Sequence, residues 1–311
     1  MAILVTGGSG FLGKALIPRL LSKGHKVYSL SRHPPAPSEN LVPLVGDILQ
    51  PNLGLSEVPG DIHAIHHLAA IHRLGVDKDG SIWQTNVEGT KNVLEFCAKH
   101  KISQLCFTSS AYTQGRNTYE QSKALCETLV RKSDIPRVVI FKPSIVMGTE
   151  ENFYPGHFSQ FVSLVIKVHQ RAELIRRKVE GTLRLPVIEP VLRIKANPEA
   201  KLNLVPVDVI THAMVNIERP ETYWLTHPDP PTIGQLVRWI GKSTMVKIKI
   251  EHTFKATPIE AIFSKMTAAF TPYLWGDNFP SDIKKCPSIT QEFINDTIKR
   301  GLQLDQLLIK V

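Results

Sequence analysis

The sequence predicts an α/β protein: a doubly wound parallel sheet with a smaller C-terminal lobe. Three observations carry that prediction. Short Val-, Ile- and Leu-rich segments alternate with helix-length amphipathic segments through the first half of the 311-residue chain. Such alternation implies crossover units and a parallel sheet covered on both faces. A glycine-rich run, T-G-G-S-G-F-L-G from Thr6 to Gly13, falls between the first strand and the first helix. After Gly148 the alternation gives way to a long helical segment and Pro-punctuated connections.

The elements follow in order. Ala2–Val5 reads as a buried strand, followed by a helix from about Phe11 to Lys23 with Gly24 as its stop. Pro18 lies inside that helix and should remove one backbone bond and kink it. Further strands are expected at Val27–Leu30, Leu41–Val45, Ala64–Leu68, Gln104–Thr108 and Val138–Phe141, with helices at Ile82–His100 and Tyr119–Lys132. Beyond Gly148, Phe153–Val179 reads as one long helix or two, apolar at first and basic later. A Pro-punctuated segment, Leu185–Asn203, precedes an apolar run at Leu204–Val209 that enters a helix through Ile217. Tyr223–Thr226 suggests a short strand and Pro228–Pro231 a break, before a helix at Ile233–Lys242 and a strand at Val246–Ile250. The remainder, with Trp275, reads as helical and turn-rich. A nucleotide-binding domain is therefore expected over residues 1–150, rejoined by about 203–228. Residues 151–202 and 229–311 would form a substrate-binding lobe.

Composition narrows the classes. With 42% hydrophobic residues the chain can build one large domain or two closely joined ones. No signal peptide or membrane-spanning stretch is evident, so a cytoplasmic protein is expected. The four cysteines show no C-x-x-C spacing and read as reduced core thiols. Net charge is +9, and nine Lys/Arg against four Glu fall between Lys167 and Lys201. That surplus either favours an anionic partner or is a solvated helix face. No basic-aromatic interleaving accompanies it, so no nucleic-acid partner is expected. His63, His66, His67 and His72 lie in and after a buried strand with no cysteine or paired carboxylate to complete a metal site, so core or cofactor-facing histidines are expected. Phe153, Phe158 and Phe161 either line a substrate channel or pack a helical core.

Two motifs carry chemistry. Gly7, Gly10 and Gly13 let the backbone turn sharply and bring a pyrophosphate to a helix N-terminus, the requirement of a Rossmann dinucleotide site. An NAD site places an acid at the end of the second strand, but this chain has S-L-S-R-H there. Arg32 with Ser31 suits a 2′-phosphate, so NADP(H) is favoured over NAD(H). Asp47, after the third strand, either accepts a bond from the adenine amino group or caps a turn. The second motif is Tyr119 with Lys123 in Y-E-Q-S-K, one face of a helix at i and i+4. A free phenol titrates near ~10, and a neighbouring cation favours the phenolate, so the pair reads as an acid–base device. Tyr112 has Arg116 at i+4, but in a glycine-flanked turn and not on a helix.

Thr6–Gly13, Gly46-Asp47-Ile48, H-L-A-A at His67–Ala70, N-V-E-G-T at Asn86–Thr90, S-S-A at Ser109–Ala111, Y-E-Q-S-K, K-P-S-I-V-M-G at Lys142–Gly148 and V-P-V-D at Val205–Asp208 occur in one order. This order resembles the extended short-chain dehydrogenase/reductase family. S-S-A-Y-T-Q-G with N-T-Y-E-Q-S-K, P-S-I-V and L-V-P-V-D is most similar to its thioester-reductase and fatty-acyl reductase (male-sterility) branch. Sugar-nucleotide epimerases carry V-Y-G after their serine and near the proline; here those positions are Thr113-Gln114-Gly115 and Val146-Met147-Gly148, and Lys142 replaces the usual Arg.

The resemblance implies an NADP(H)-dependent reductase of a small carbonyl or acyl-thioester substrate, free or carrier-linked. Ser110 would hydrogen-bond the reacting oxygen and Tyr119 would supply its proton. Lys123 would lower the tyrosine and bind the nicotinamide ribose, and Asn86 would hold a water in a relay to Lys123. Pro143 and Ser144 would lie by the nicotinamide. Ser9, Phe11, Leu12, Ile48, Leu68, Ala69 and Ala70 would complete the cofactor site around the three glycines and Asp47. The basic stretch would dock the phosphates of coenzyme A or a carrier, and a homodimer would form through the helices carrying Asn86 and Tyr119. Only eight residues separate Ser110 from Tyr119, where this branch usually inserts a longer loop. Eight residues reach ~25 Å, so the two can meet, over a site left more open. Two other readings are an epimerase or dehydratase of a sugar nucleotide and a non-catalytic NADP sensor.

Overall fold

The computed structural model describes residues 1–184, 186, 189–217 and 219–308, the side chains of 304–308 aside. Leu185, Val187 and Ile188 of the Pro-punctuated segment lie outside the described residues. The chain runs β1 (Ala2–Thr6), α1 (Phe11–Ser22), β2 (Lys26–Ser31), β3 (Leu41–Val45) and β4 (Ile62–His67). Next come α2 (Ser81–Trp83), a π-helical turn (Gln84–Glu88), α3 (Gly89–Lys99), β5 (Gln104–Thr108), α4 (Thr118–Arg131) and β6 (Arg137–Pro143). Then follow β7 (Ile145–Met147), α5 (Gly156–Leu183), β8 (Leu192–Ile194), β9 (Leu204–Pro206), α6 (Val207–Asn216) and β10 (Thr222–Leu225). The last are α7 (Ile233–Thr244), β11 (Ile248–Ile250), α8 (Pro258–Met266) and α9 (Gln291–Leu308).

The chain divides into two compact units. The first comprises Met1–Val146, Val205–Pro228 and Phe279–Cys286. Its sheet has seven strands in the order β3-β2-β1-β4-β5-β6-β10, every neighbouring pair parallel. The order reverses between β1 and β4, the switch point at which doubly wound sheets open a crevice. Strand pleating sends Ala2 and Leu4 to one face, with Phe96, Cys97 and Val130, and Ile3 and Val5 to the other, with Leu16, Leu20, Ile210 and Met214. Leu4, Val5, Leu16 and Ile65 are fully buried, each contributing about 1.5–3 kcal/mol as an upper figure. Helix α1 continues through Pro18.

Three expectations are corrected here. The segment Ile82–His100 is not one regular helix, because the π-helical turn inserts an extra residue at Gln84–Glu88. A separate parallel pair, β8 with β11, lies partly within the Pro-punctuated segment. Phe279–Cys286, expected in the C-terminal lobe, belongs to the first unit. Trp224 and Asp282 exchange bonds of 2.7 and 3.0 Å, Thr226 Oγ1 donates to the Pro280 carbonyl at 2.5 Å, and Ile283 enters the core. The segment thus covers the open edge of β10.

The second unit comprises Met147–Leu204, Asp229–Asn278 and Pro287–Val311. Val165 and Val168 of α5, Leu192 and Ile194 of β8, Ile233 and Val237 of α7, and Phe263 of α8 form its core. Phe158 is buried and Phe161 packs edge-on against Phe263 and Phe270, so these rings build core. Capping boxes start α7 (Thr232 with Gln235) and α8 (Thr257 with Glu260). Glu260 also receives Arg193 through two bonds of 2.8 Å. Burial raises the Glu260 carboxyl, but the Arg193 and Thr257 bonds outweigh it and hold it down at about 2. The basic stretch is partly spent in such pairs: Arg176 with Glu173 and Glu180, Arg193 with Glu260, and Lys201 with Asp229. Among the described residues no helix is long and apolar enough to cross a membrane.

Candidate active site

The glycine turn joins β1 to α1 at the switch point. Gly7 has φ +72°, and a Cβ there would lie 2.8 Å from the Ala69 backbone. At Gly13 a Cβ would lie 2.5–2.7 Å from backbone atoms of Gly7 and Gly8. The turn therefore holds its shape only with hydrogen at those positions. Gly10 N–H donates to the Gly7 carbonyl at 3.0 Å and no side chain caps α1, whose first turn carries no acid. A helix start with no side-chain cap and no acid in its first turn fits a pyrophosphate. Ser9, Phe11 and Leu12 line the same turn, Leu12 packing partly on the core. The Leu68 and Ala69 N–H groups bond Thr6 at 3.2 and 3.4 Å, which brings Leu68, Ala69 and Ala70 to the turn.

At the end of β2, Ser31 Oγ is buried with no hydrogen-bond partner among the described residues, and the adjacent Arg32 is exposed. An unpartnered hydroxyl beside an arginine suits a phosphate oxygen. Asp47 takes the turn-capping role: its Oδ1 accepts from Leu49 N–H at 2.9 Å. Ile48 is a core residue, packed against Gly89 of α3.

Ser110 and Tyr119 are joined by a hydrogen bond. Ser110 Oγ also accepts from Tyr112 N–H at 3.1 Å. The short connection between them is folded, not stretched: Asn117 caps α4 by accepting from Glu120 N–H at 3.0 Å, and Gln121 donates to the Gly115 carbonyl at 3.0 Å. Lys123 is buried, its Nζ donating to the Thr108 carbonyl at 2.8 Å and lying 5.2 Å from the centre of the Phe107 ring. The phenol does not move as expected. Burial pushes Tyr119 up to about 12, aided by the Glu120 charge and opposed by the Ser110 bond. Burial pushes Lys123 down to about 8. The Lys123 ammonium is directed to the Thr108 carbonyl and does not offset the desolvation of the phenol. The result is a protonated phenol at neutral pH, the form a proton donor needs.

Asn86 sits in the π-helical turn, and its carboxamide is occupied. Its Oδ1 accepts from Ile71 N–H at 2.8 Å, and its Nδ2 donates to the Ile71 carbonyl at 3.0 Å and to Ser122 Oγ at 2.9 Å. Ser122 in turn donates to the Tyr119 carbonyl at 2.7 Å. Pro143 ends β6 and Ser144 follows it, the Pro143 carbonyl accepting from Ala111 N–H at 2.8 Å. The rival phenol, Tyr112, packs edge-on against Phe279 with centroids 4.9 Å apart.

Sequence reasoning did not give several residues the contacts they make. A Cβ on Gly8 would lie 2.1 Å from Ser29 Oγ and 2.9 Å from Ile17 Cδ1, side-chain atoms that would have to give way. Lys142 forms a buried ion pair with Glu127, which also accepts from Ser109 at 2.5 Å. His67 bonds Thr6 and Thr90, and burial together with the Lys123 charge holds it down at about 3, hence neutral. The signal for His67 and Thr90 was present, since both stand in the motifs H-L-A-A and N-V-E-G-T.

Known proteins resemble this chain in sequence and in fold. The 2-alkyl-3-oxoalkanoate reductase of Stenotrophomonas maltophilia (strain K279a) is 37% identical over 121 residues, which cover 38% of this chain and 36% of that protein. The match thus spans about a third of that reductase's length. D-erythronate dehydrogenase of Haemophilus influenzae is 28% identical over 223 residues, covering 61% of this chain and 69% of that one. The UDP-Glc/GlcNAc 4-epimerase of Campylobacter jejuni superposes with a TM-score of 0.65 at 16% identity over 97% of this chain and 99% of that one, a likeness of fold. The NAD dependent epimerase/dehydratase family matches residues 3–175. The chain belongs to that family, the extended short-chain dehydrogenase/reductases with a Rossmann fold.

Proposed function

We propose that the protein is an NADP(H)-dependent oxidoreductase that reduces a carbonyl group, with Tyr119 as proton donor. The observation that carries this reading is the hydrogen bond between Ser110 and a Tyr119 held protonated, with the Lys123 ammonium buried on the same helix. When bound, NADPH supplies hydride to the carbonyl carbon. Ser110 holds the carbonyl oxygen. As the C=O π pair collects on that oxygen, Tyr119 passes its phenolic proton to it and an alcohol forms. The Lys123 cation stabilises the phenolate left behind, which is reprotonated from solvent. Oxidation of an alcohol is the same sequence reversed.

Arg32 and Ser31 support NADP(H) over NAD(H), for the 2′-phosphate would meet both. Within the carbonyl and acyl-thioester class we favour a keto group, because the relatives named above are a 3-oxoalkanoate reductase and an erythronate dehydrogenase. A free substrate is favoured over a carrier-linked one, because part of the basic stretch is internally paired. A thioester substrate would release a titratable thiol on reduction, and a keto substrate would not. The test is turnover of NADPH with a panel of keto acids, with and without Tyr119→Phe. The family name supports one second reading, epimerisation of a sugar nucleotide, in which the cofactor is recycled and no net NADPH is consumed.

A further inference from the structure

A buried polar chain joins the glycine turn to the helix that carries Tyr119. Ala69 N–H donates to Thr6 Oγ1 at 3.4 Å, which lies 2.7 Å from His67 Nδ1. His67 Nε2 lies 3.2 Å from Thr90 Oγ1, and Thr90 donates to the Asn86 carbonyl at 2.5 Å. The bond directions follow from chemistry alone. A carbonyl only accepts, so Thr90 spends its proton on Asn86 and can only accept from His67. Nε2 therefore carries the imidazole proton. A backbone N–H only donates, so Thr6 is left to turn its own proton toward Nδ1.

We propose that His67 is a positioning residue. As the neutral Nε2–H tautomer it ties Thr6 of the cofactor turn to the Asn86 backbone, and through the Asn86 carboxamide and Ser122 to the Tyr119 carbonyl. The cradle and the proton donor are thereby held at one spacing. An apolar side chain would fill the same volume without desolvating an imidazole and two hydroxyls, so volume alone does not account for the chain. The proposal rests on the roles assigned above to the glycine turn and Tyr119.

Two experiments on the full chain test it. In protein labelled with 15N-histidine, the ring of His67, assigned by its loss in His67→Asn, is expected to show a protonated Nε2 and a bare Nδ1. An Nδ1–H ring or a cation overturns the proposal. This spectrum needs no cofactor or substrate, so it stands if the functional reading falls. The second experiment is a double-mutant cycle with the near-isosteric changes Thr6→Val and Thr90→Val, reading the dissociation constant of NADPH and kcat separately. Each change is expected to weaken NADPH binding by about fivefold, and the pair together by no more than about tenfold, because either break releases the same ring. Fully multiplicative losses, or a Thr90→Val variant that binds NADPH as the wild type does, would overturn it. Should a variant not fold, the wild-type spectrum decides.

Discussion

Tyr119 and Lys123 are both driven toward their neutral forms, and this sets the pH dependence of the proposed reaction. Lys123 is held down at about 8, so its charge is fully present below that pH and lost as pH rises through it. Tyr119, pushed up to about 12, keeps its proton throughout the accessible range. Reduction is expected to be level below about pH 8 and to fall above it, in a pH profile of kcat/KM; a profile level to pH 10 would contradict this. At the proposed 2′-phosphate site, Arg32→Ala should lower kcat/KM with NADPH about tenfold while leaving NADH within about twofold. An equal loss with both cofactors would remove the NADP preference. The placement of Tyr119 and Lys123 on one helix was legible from their i, i+4 spacing alone. The sign of their titration was not, because burial comes from Phe107, Thr108 and Ser110 on another strand and the loop after it. The full engagement of Asn86 with Ile71 and Ser122 was not legible either, since neither partner is near it in sequence.

Among the elements, the β1 turn into α1 is the most tightly specified. Gly13→Ala sets a Cβ against backbone that cannot rotate away. It is expected to cost about 1–3 kcal/mol in denaturant unfolding and to weaken NADPH binding at least tenfold. An alanine variant with wild-type affinity would show that the turn does not hold the nucleotide. In the second unit, Glu260 links the α8 cap to Arg193 of β8. Its folded value, about 2, lies below the ordinary 4.5, so its contribution is present above about pH 4.5 and is lost as pH falls toward 2. Thermal unfolding should therefore lose less stability over that window in Glu260→Gln than in the wild type, from a lower starting point at pH 7. Strands and helices of the first unit were legible because hydrophobic period and glycine stops agree there. The π-helical turn and β8 were not, since three residues show no period and an extra residue in a helix leaves its apolar face nearly unchanged.

For the whole molecule, the parallel sheet and its two covered faces followed from the alternation of segments, but the return of Phe279–Cys286 to the first unit did not. Its hold on β10 combines carboxylate and hydroxyl bonds to backbone with single apolar contacts of Phe279 and Ile283, which show no hydrophobic period to read. The concentrated positive charge also reads differently once folded. With Arg176, Arg193 and Lys201 paired, Arg177→Gln/Lys178→Gln is expected to change KM for a coenzyme A thioester and for a free keto acid alike, by less than about twofold. A rise confined to the thioester would restore a phosphate-docking role. These features serve one central claim, that Ser110, Tyr119 and Lys123 reduce a carbonyl beside a bound nicotinamide. Its most direct test follows NADPH absorbance and alcohol product together in the wild type and Tyr119→Phe, over a panel of keto substrates. One alcohol per NADPH consumed is expected, with turnover about 10²–10⁴-fold lower in the variant and NADPH affinity within about twofold. Unchanged turnover in Tyr119→Phe, or a change of substrate configuration with no net loss of NADPH, would contradict it.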